Sequence, residues 1–112
     1  MGAYGHAEAR TTESLSVRES AEEGVEVVFL SGQLTATNTD EIRRLCIAYR
    51  RHEKLVLDLI GVDFLSSRAI KALVEGQTLL KQAGCELVLR SAAPNVRRVF
   101  ESTGTASVFT FQ

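Results

Sequence analysis

Ser66 and Ser67 stand together in the stretch Asp63-Phe64-Leu65-Ser66-Ser67-Arg68, just ahead of an amphipathic helical pattern. Two chemistries suit a serine in that position. As a helix cap, its side-chain oxygen accepts a backbone N–H of the first turn, an interaction worth ~1 kcal/mol. As a phosphoacceptor, it would set a dianion against free N–H groups and the positive end of the helix dipole. Arg68 could then add a charge-assisted hydrogen bond. One residue can serve in both roles. A nucleophilic serine is the third chemistry, and its partners are missing. No histidine is recognisably paired with a serine, and neither a Gly-x-Ser-x-Gly elbow nor a phosphate-binding glycine loop is present. A serine without a base is a substrate for another enzyme. Neither enzyme activity nor a cofactor is expected.

The remaining reactive side chains read as structural. Cys46 falls on the apolar stripe of a helical pattern and Cys85 opens an apolar strand, and their spacing fits no metal motif. Two buried, reduced thiols are expected. His6 and His52 are isolated, so no metal site is expected. Asp58 interrupts an apolar run. It reads as an acceptor for backbone N–H groups of the following loop, and alternatively as a group that shapes the Ser67 site. Asp63 reads as a turn residue. Arg43, Arg44, Arg50 and Arg51 read as a solvated helix face, because no basic stripe with interleaved aromatic residues accompanies them.

These residues need elements to hold them. Residues 1–13 show no periodicity and read as a flexible tail. In residues 14–20, Leu15 and Val17 alternate with polar neighbours as in a half-buried strand. A turn over 21–24 leads to Val25–Leu30, rich in β-branched residues. A polar loop over 31–39 follows, and Thr37 with Asp40, or Asn38 with Glu41, has capping spacing. Ile42, Leu45, Cys46 and Tyr49 then mark one helix face. The run 54–60 is nearly all apolar, the pattern of a strand covered on both faces. A loop over 61–67 leads to a second helix, marked by Ile70, Leu73, Val74 and Leu80 and ending near Gly84. A strand over 85–89 follows. Pro94 starts a third helix, carried by Val96, Val99 and Phe100 and stopped at Gly104. Residues 108–111 suit a last edge strand. The order β-β-α-β-α-β-α-β predicts parallel pairing through right-handed crossovers, with an antiparallel hairpin at the start. If the strands at 25–30 and 54–60 are neighbours, the loops after them open at the same end of the sheet, where α/β proteins bind their ligands.

The chain has 112 residues, of which 45% are apolar and 24% charged. That suits one globular domain with a single core. The net charge of −1 offers no strong field for nucleic acid or an anionic membrane. No apolar run is long enough to span a bilayer, and the N-terminus lacks the apolar stretch of a signal peptide. A cytoplasmic location is the expectation.

The stretch from Val27 to Phe109 resembles the STAS family, named for sulphate transporters and anti-sigma factor antagonists. The matching pieces are VVFLSGQL ahead of a helix, LVLDLIGVDFLSSRAIKALV, and GCELVLRSAAPNVRRVFESTG. The family's central motif commonly reads Phe-hydrophobic-Asp-Ser-Ser-Gly-Leu, and here the residues are FLSSRAI. Aligned so, Ser67 falls on the regulatory serine of the antagonist branch and Ser66 on the common aspartate. The last piece is similar to the family's Pro-x-Val-x-x-x-Phe-x-x-x-Gly helix. Arg68 stands where Ser or Ala is usual, Ala69 where Gly is usual, and Thr35 where many relatives carry an acid.

The resemblance implies an α/β fold: a single STAS domain over 14–112, with a mixed, mostly parallel sheet of about four to five strands and amphipathic helices packed on it. It implies an anti-sigma factor antagonist. Such a protein binds an anti-sigma factor that is also a serine kinase of the histidine-kinase-like ATPase fold, and so releases a sigma factor. Phosphorylation of Ser67 ends the binding, and a PP2C-type phosphatase resets it. Thr35, Thr37, Asn38, Leu65, Ser66, Arg68 and Lys71 would form the contact. Direct nucleic-acid binding and membrane insertion are not expected, and homodimer formation stays open. The alternative is a STAS scaffold without a switch, a subunit of a signalling assembly or of a lipid ABC transporter.

Overall fold

The computed structural model describes residues 8–12 and 14–112. Six strands form one sheet in chain order. They are β1 (Glu8–Thr12), β2 (Leu15–Glu22), β3 (Val25–Leu34), β4 (Lys54–Leu65), β5 (Glu86–Arg90) and β6 (Thr110–Phe111). Helix α1 (Thr39–Tyr49) joins β3 to β4, α2 (Ser67–Gln82) joins β4 to β5, and α3 (Pro94–Ser102) joins β5 to β6. The first three strands are antiparallel and the rest run parallel. The mixed α/β sheet is the one expected, with β1 as an addition. The tail expected over 1–13 lies outside the described residues for 1–7 and 13. Over 8–12 the chain is instead a strand, held by antiparallel pairing with β2. Ladder bonds use backbone alone, so they leave little trace in a pattern of side chains.

The hairpin between β2 and β3 closes through Glu23 and Gly24, both at positive φ (53° and 83°), between paired Glu22 and Val25. A two-residue turn of this kind matches the twist of the strands, and Gly24 adopts it without strain.

Because the parallel strands follow chain order, every crossover steps the same way. A constant crossover hand then puts every helix on one face. The main core shows this. It joins Leu55, Leu57 and Leu59 of β4 to Ile42, Leu45 and Cys46 of α1, to Ile70, Leu73 and Leu80 of α2, and to Val96 and Phe100 of α3. Tyr49 closes the end of α1 by donating its hydroxyl to Glu19 on β2. The expectation that 54–60 is covered on both faces is therefore corrected. The outer face carries a separate small cluster of Val27, Val56 and Val88 with no helix over it. These valines stay dry because parallel register sets them side by side. Phe29 packs against them, with Arg18 stacked over its ring at 4.1 Å and Arg90 at 5.6 Å. Two guanidinium groups thus cover the exposed side of the ring in cation–π contact.

α1 and α2 lie side by side over the core, and Cys46 of α1 meets Gly76 of α2. A Cβ on Gly76 would lie 2.5 Å from Cys46 Sγ, so a larger residue there forces Cys46 or the helices to shift. Among the described residues, no helix is long and apolar enough to cross a membrane.

Candidate functional site

β3 and β4 end together. Leu34 pairs with Leu65, and the Ser66 N–H donates to the Leu34 carbonyl at 2.9 Å. The chain after each strand therefore opens at the same end of the sheet, at the start of α1 and of α2. The loop expected over 61–67 is largely absent, because β4 runs on to Leu65 and α2 begins two residues later. The pairing with β3 shifts register twice, between Phe29 and Ser31 and between Gly32 and Gln33, where β4 has an extra residue each time. Each bulge reverses the in-out alternation. Leu59, Val62 and Leu65 therefore all reach the core at a spacing of three, which does not read as a strand. Asp63, expected in a turn, is an exposed strand residue whose carbonyl accepts from Asn95 Nδ2 at 3.2 Å.

The α1 start is closed on itself. A 3-10 turn at Ala36–Asn38 precedes the helix, and the capping box belongs to that turn. Thr35 Oγ1 accepts from the Thr37 N–H at 3.3 Å, and Asn38 Oδ1 accepts from the Thr35 N–H at 3.0 Å. Asn38 Nδ2 donates to the Gln33 carbonyl at 2.8 Å. The box expected at Thr37/Asp40 or Asn38/Glu41 thus lies earlier, because the 3-10 turn runs directly into α1. Asn38 is only 2% exposed and holds the loop together. Asp40 and Glu41 supply the acids of the first α1 turn.

The α2 start is different. Ser66 is the cap, its Oγ accepting from the Ala69 N–H at 3.2 Å. Ser67 is the first helical residue and is exposed, and among the described residues its hydroxyl has no hydrogen-bond partner. Ser66 thus takes the cap that the sequence offered to both serines, and Ser67 does not. No acidic residue lies in the first turn of α2. An open groove of about 450 Å³ runs from Ser67 between the helices, lined by Thr39 and Arg43 of α1 and by Arg68, Lys71 and Glu75 of α2. Arg43 donates to Asp40 at 2.9 Å, to Thr39 at 3.3 Å and to Glu75 at 3.5 Å.

A family model for the STAS domain matches residues 17–112. The chain belongs to the STAS family. Among its relatives is BtrV of Bordetella bronchiseptica, whose name assigns it provisionally to the anti-sigma factor antagonists. BtrV is 30% identical over 89 residues, 78% of this chain and 77% of that protein. The anti-sigma F factor antagonist of Paenibacillus polymyxa is 28% identical over 94 residues, 81% of this chain and 80% of that one. The crystal structure of an anti-sigma factor antagonist from Mycobacterium paratuberculosis matches with a TM-score of 0.72 at 28% identity, covering 90% of this chain and 87% of that chain.

Within this STAS domain the expected site residues separate into groups. Ser67, Arg68 and Lys71 share the groove. Thr37 is exposed and Thr35 half-buried, both on the neighbouring loop, while Ser66 is half-buried and occupied as the cap. Leu65 and Asn38 are buried and hold the ends of the elements rather than offering surface. Asp58 is placed away from the groove, on the sheet face opposite the helices. It accepts from the Ile60 N–H at 2.9 Å and from Arg90 Nε at 2.7 Å. Arg90 also reaches Glu22 at 3.1 Å, and hydrogen bonds to Glu22 and Asp58 push its pKa above the ordinary arginine value. Both cysteines are free and buried. Burial, with Cys85 nearby, pushes the Cys46 thiol up to about 11, and burial followed by Glu86 raises Cys85. Thiols held protonated are poor nucleophiles.

Two features escaped the sequence. Arg43, read as part of a solvated face, lines the groove, a placement that needs α1 and α2 to be neighbours. Ile60 and Phe64 are 73% and 50% exposed near the end of β4. The bulges turn them outward, and an apolar run carries no sign of that.

Proposed function

We propose that this STAS protein is an anti-sigma factor antagonist, working in the cytoplasm as a binding protein and not as a catalyst. In its unmodified form it binds an anti-sigma factor and frees a sigma factor. The anti-sigma factor is also a serine kinase of the histidine-kinase-like ATPase fold. It phosphorylates Ser67 and dissociates, and a PP2C-type phosphatase restores the hydroxyl. The contact is made by the groove start and the adjoining loop, through Thr35, Thr37, Ser67, Arg68 and Lys71.

The observation that carries this reading is the division between the two serines. Ser66 supplies the cap, so the Ser67 hydroxyl is exposed and available without cost to α2. Phosphate there adds about −1.5 to −2 charge at pH 7, enough to repel or desolvate a docked surface. The relatives named as antagonists support the choice of partner.

The test is affinity for a purified anti-sigma factor kinase, measured by calorimetry for Ser67→Ala and Ser67→Asp, with intact mass after incubation with that kinase and ATP. The expected result is one phosphate on the parent chain, none on Ser67→Ala, and binding at least ~10-fold weaker for Ser67→Asp, a difference of about 1.4 kcal/mol. Equal affinity of the two variants would exclude the switch.

A further inference from the structure

Arg43, which lines the groove that starts at Ser67, already has partners, and those partnerships are weak. Arg43 pairs with Asp40 on its own helix and with Glu75 across the groove. Side-chain exposure is 48% and 91% in the first pair and 48% and 50% in the second. Ion pairs this open to water contribute little and exchange readily. Ser67, Lys71 and Glu75 recur every four residues and so form one row along α2. That row faces Thr39 and Arg43 of α1 across the groove, with Arg68 next to Ser67. Helical side chains lean toward the N-terminus, which carries the Lys71 and Glu75 side chains, and the guanidinium bonded to Glu75, toward Ser67.

Resting on the reading of Ser67 as a phosphoacceptor, we infer that phosphate on Ser67 draws Arg43 away from Asp40 and Glu75 and is held in cis by Arg43, Lys71 and Arg68. Phosphorylation then reverses the charge of the groove instead of only adding an anion at its rim. Arg43, Arg68 and Lys71 against Asp40 and Glu75 leave the unmodified face at a formal +1. A phosphate of about −2 takes it to about −1. Its three strongly accepting oxygens offer the guanidinium more than one exposed carboxylate does. Asp40 and Glu75 are then left without their cation and face outward. An acidic partner surface is attracted to the unmodified groove and repelled by the modified one.

The experiment needs no kinase. Phosphoserine is installed at position 67 during synthesis of the full chain, and 31P NMR follows its second ionisation. Free phosphoserine titrates near pH ~6. In the parent chain the midpoint is expected about one unit lower, the effect of nearby cations on an acid. Arg43→Gln should raise the midpoint by roughly half a unit, and Arg43→Lys, which keeps the charge, should leave it low. Arg43 is exposed, so neither variant disturbs the core. Identical midpoints for the parent and Arg43→Gln overturn the inference. The two proposals fail separately. A Ser67 that no kinase modifies defeats the switch and leaves this titration unchanged, while a midpoint indifferent to Arg43 defeats the clamp and leaves the switch standing.

Discussion

The two helices that border the groove start in opposite ways. At α1 the capping side chains of the preceding turn are bonded within the chain. Thr35 and Asn38 cap the 3-10 turn, Asn38 ties back to Gln33, and Asp40 and Glu41 offset the positive end of the dipole. At α2 a single cap bond from Ser66 does the local work, Ser67 is left exposed, and Arg68 and Lys71 add positive charge to a positive helix end. Arg68 in the first turn is unfavourable by about 0.3–1 kcal/mol, the favourable effect of an acid there reversed. The chain therefore carries a small local cost at one start and avoids it at the other, 28 residues earlier. A start that is electrostatically complete is a structural joint. A start that lacks an anion is suited to receive one, whether from a partner or from a phosphate on its own serine.

The contrast can be broken by substitution, and the largest effect should come from the closed start. Asn38→Ala leaves the Thr35 N–H and the Gln33 carbonyl without their partner in a buried loop. Urea unfolding should show a loss of about 2–3 kcal/mol. A loss below that of an ordinary surface substitution would mean that water replaces the side chain and the joint is not closed.

Next comes the contact that holds the two starts side by side. Gly76→Ala places a Cβ against Cys46 Sγ and should cost about 1–3 kcal/mol through overpacking. Adding Cys46→Ala should recover much of that loss. Strictly additive losses would show that the helices separate instead.

A smaller effect distinguishes the two serines. Ser66→Ala should cost about 1 kcal/mol as a lost cap, while Ser67→Ala should stay within about 0.5 kcal/mol. The reverse ranking would transfer the cap to Ser67 and remove the argument for a free hydroxyl. Arg68→Glu should go the other way and stabilise the fold by about 0.3–1 kcal/mol, while weakening the binding of the anti-sigma factor. A destabilised variant would show that Arg68 has a structural role.

The smallest effect at neutral pH concerns Cys46. Its thiol is raised from 9.0 to about 11 by burial. The folded state therefore keeps a proton that the unfolded chain has lost. The contribution is complete below pH 9 and disappears as pH rises from there through about 11. Stability of Cys46→Ala should fall less over that window.

Local pattern determined a good deal of this protein. Leu15 and Val17 alternate, Ile42, Leu45, Cys46 and Tyr49 recur at helical spacing, and Pro94 and Gly104 bracket the third helix. These features depend on neighbours a few residues apart, and the α/β order follows from them. The resemblance carried by FLSSRAI, and not the local pattern, singled out Ser67. What local pattern could not decide was anything set by a partner far along the chain. β1 exists through backbone bonds to β2. The strand character of 61–65 was hidden because two bulges against β3 break the period of two. Asp58 was placed by the strand it sits in, and its partner Arg90 lies 32 residues away on β5. The choice of Ser66 over Ser67 as the cap depended on where β4 ends, which its pairing with Leu34 fixes. The groove itself is a product of tertiary structure alone, because Arg43 and Glu75 are 32 residues apart and meet only when α1 and α2 pack side by side at Gly76.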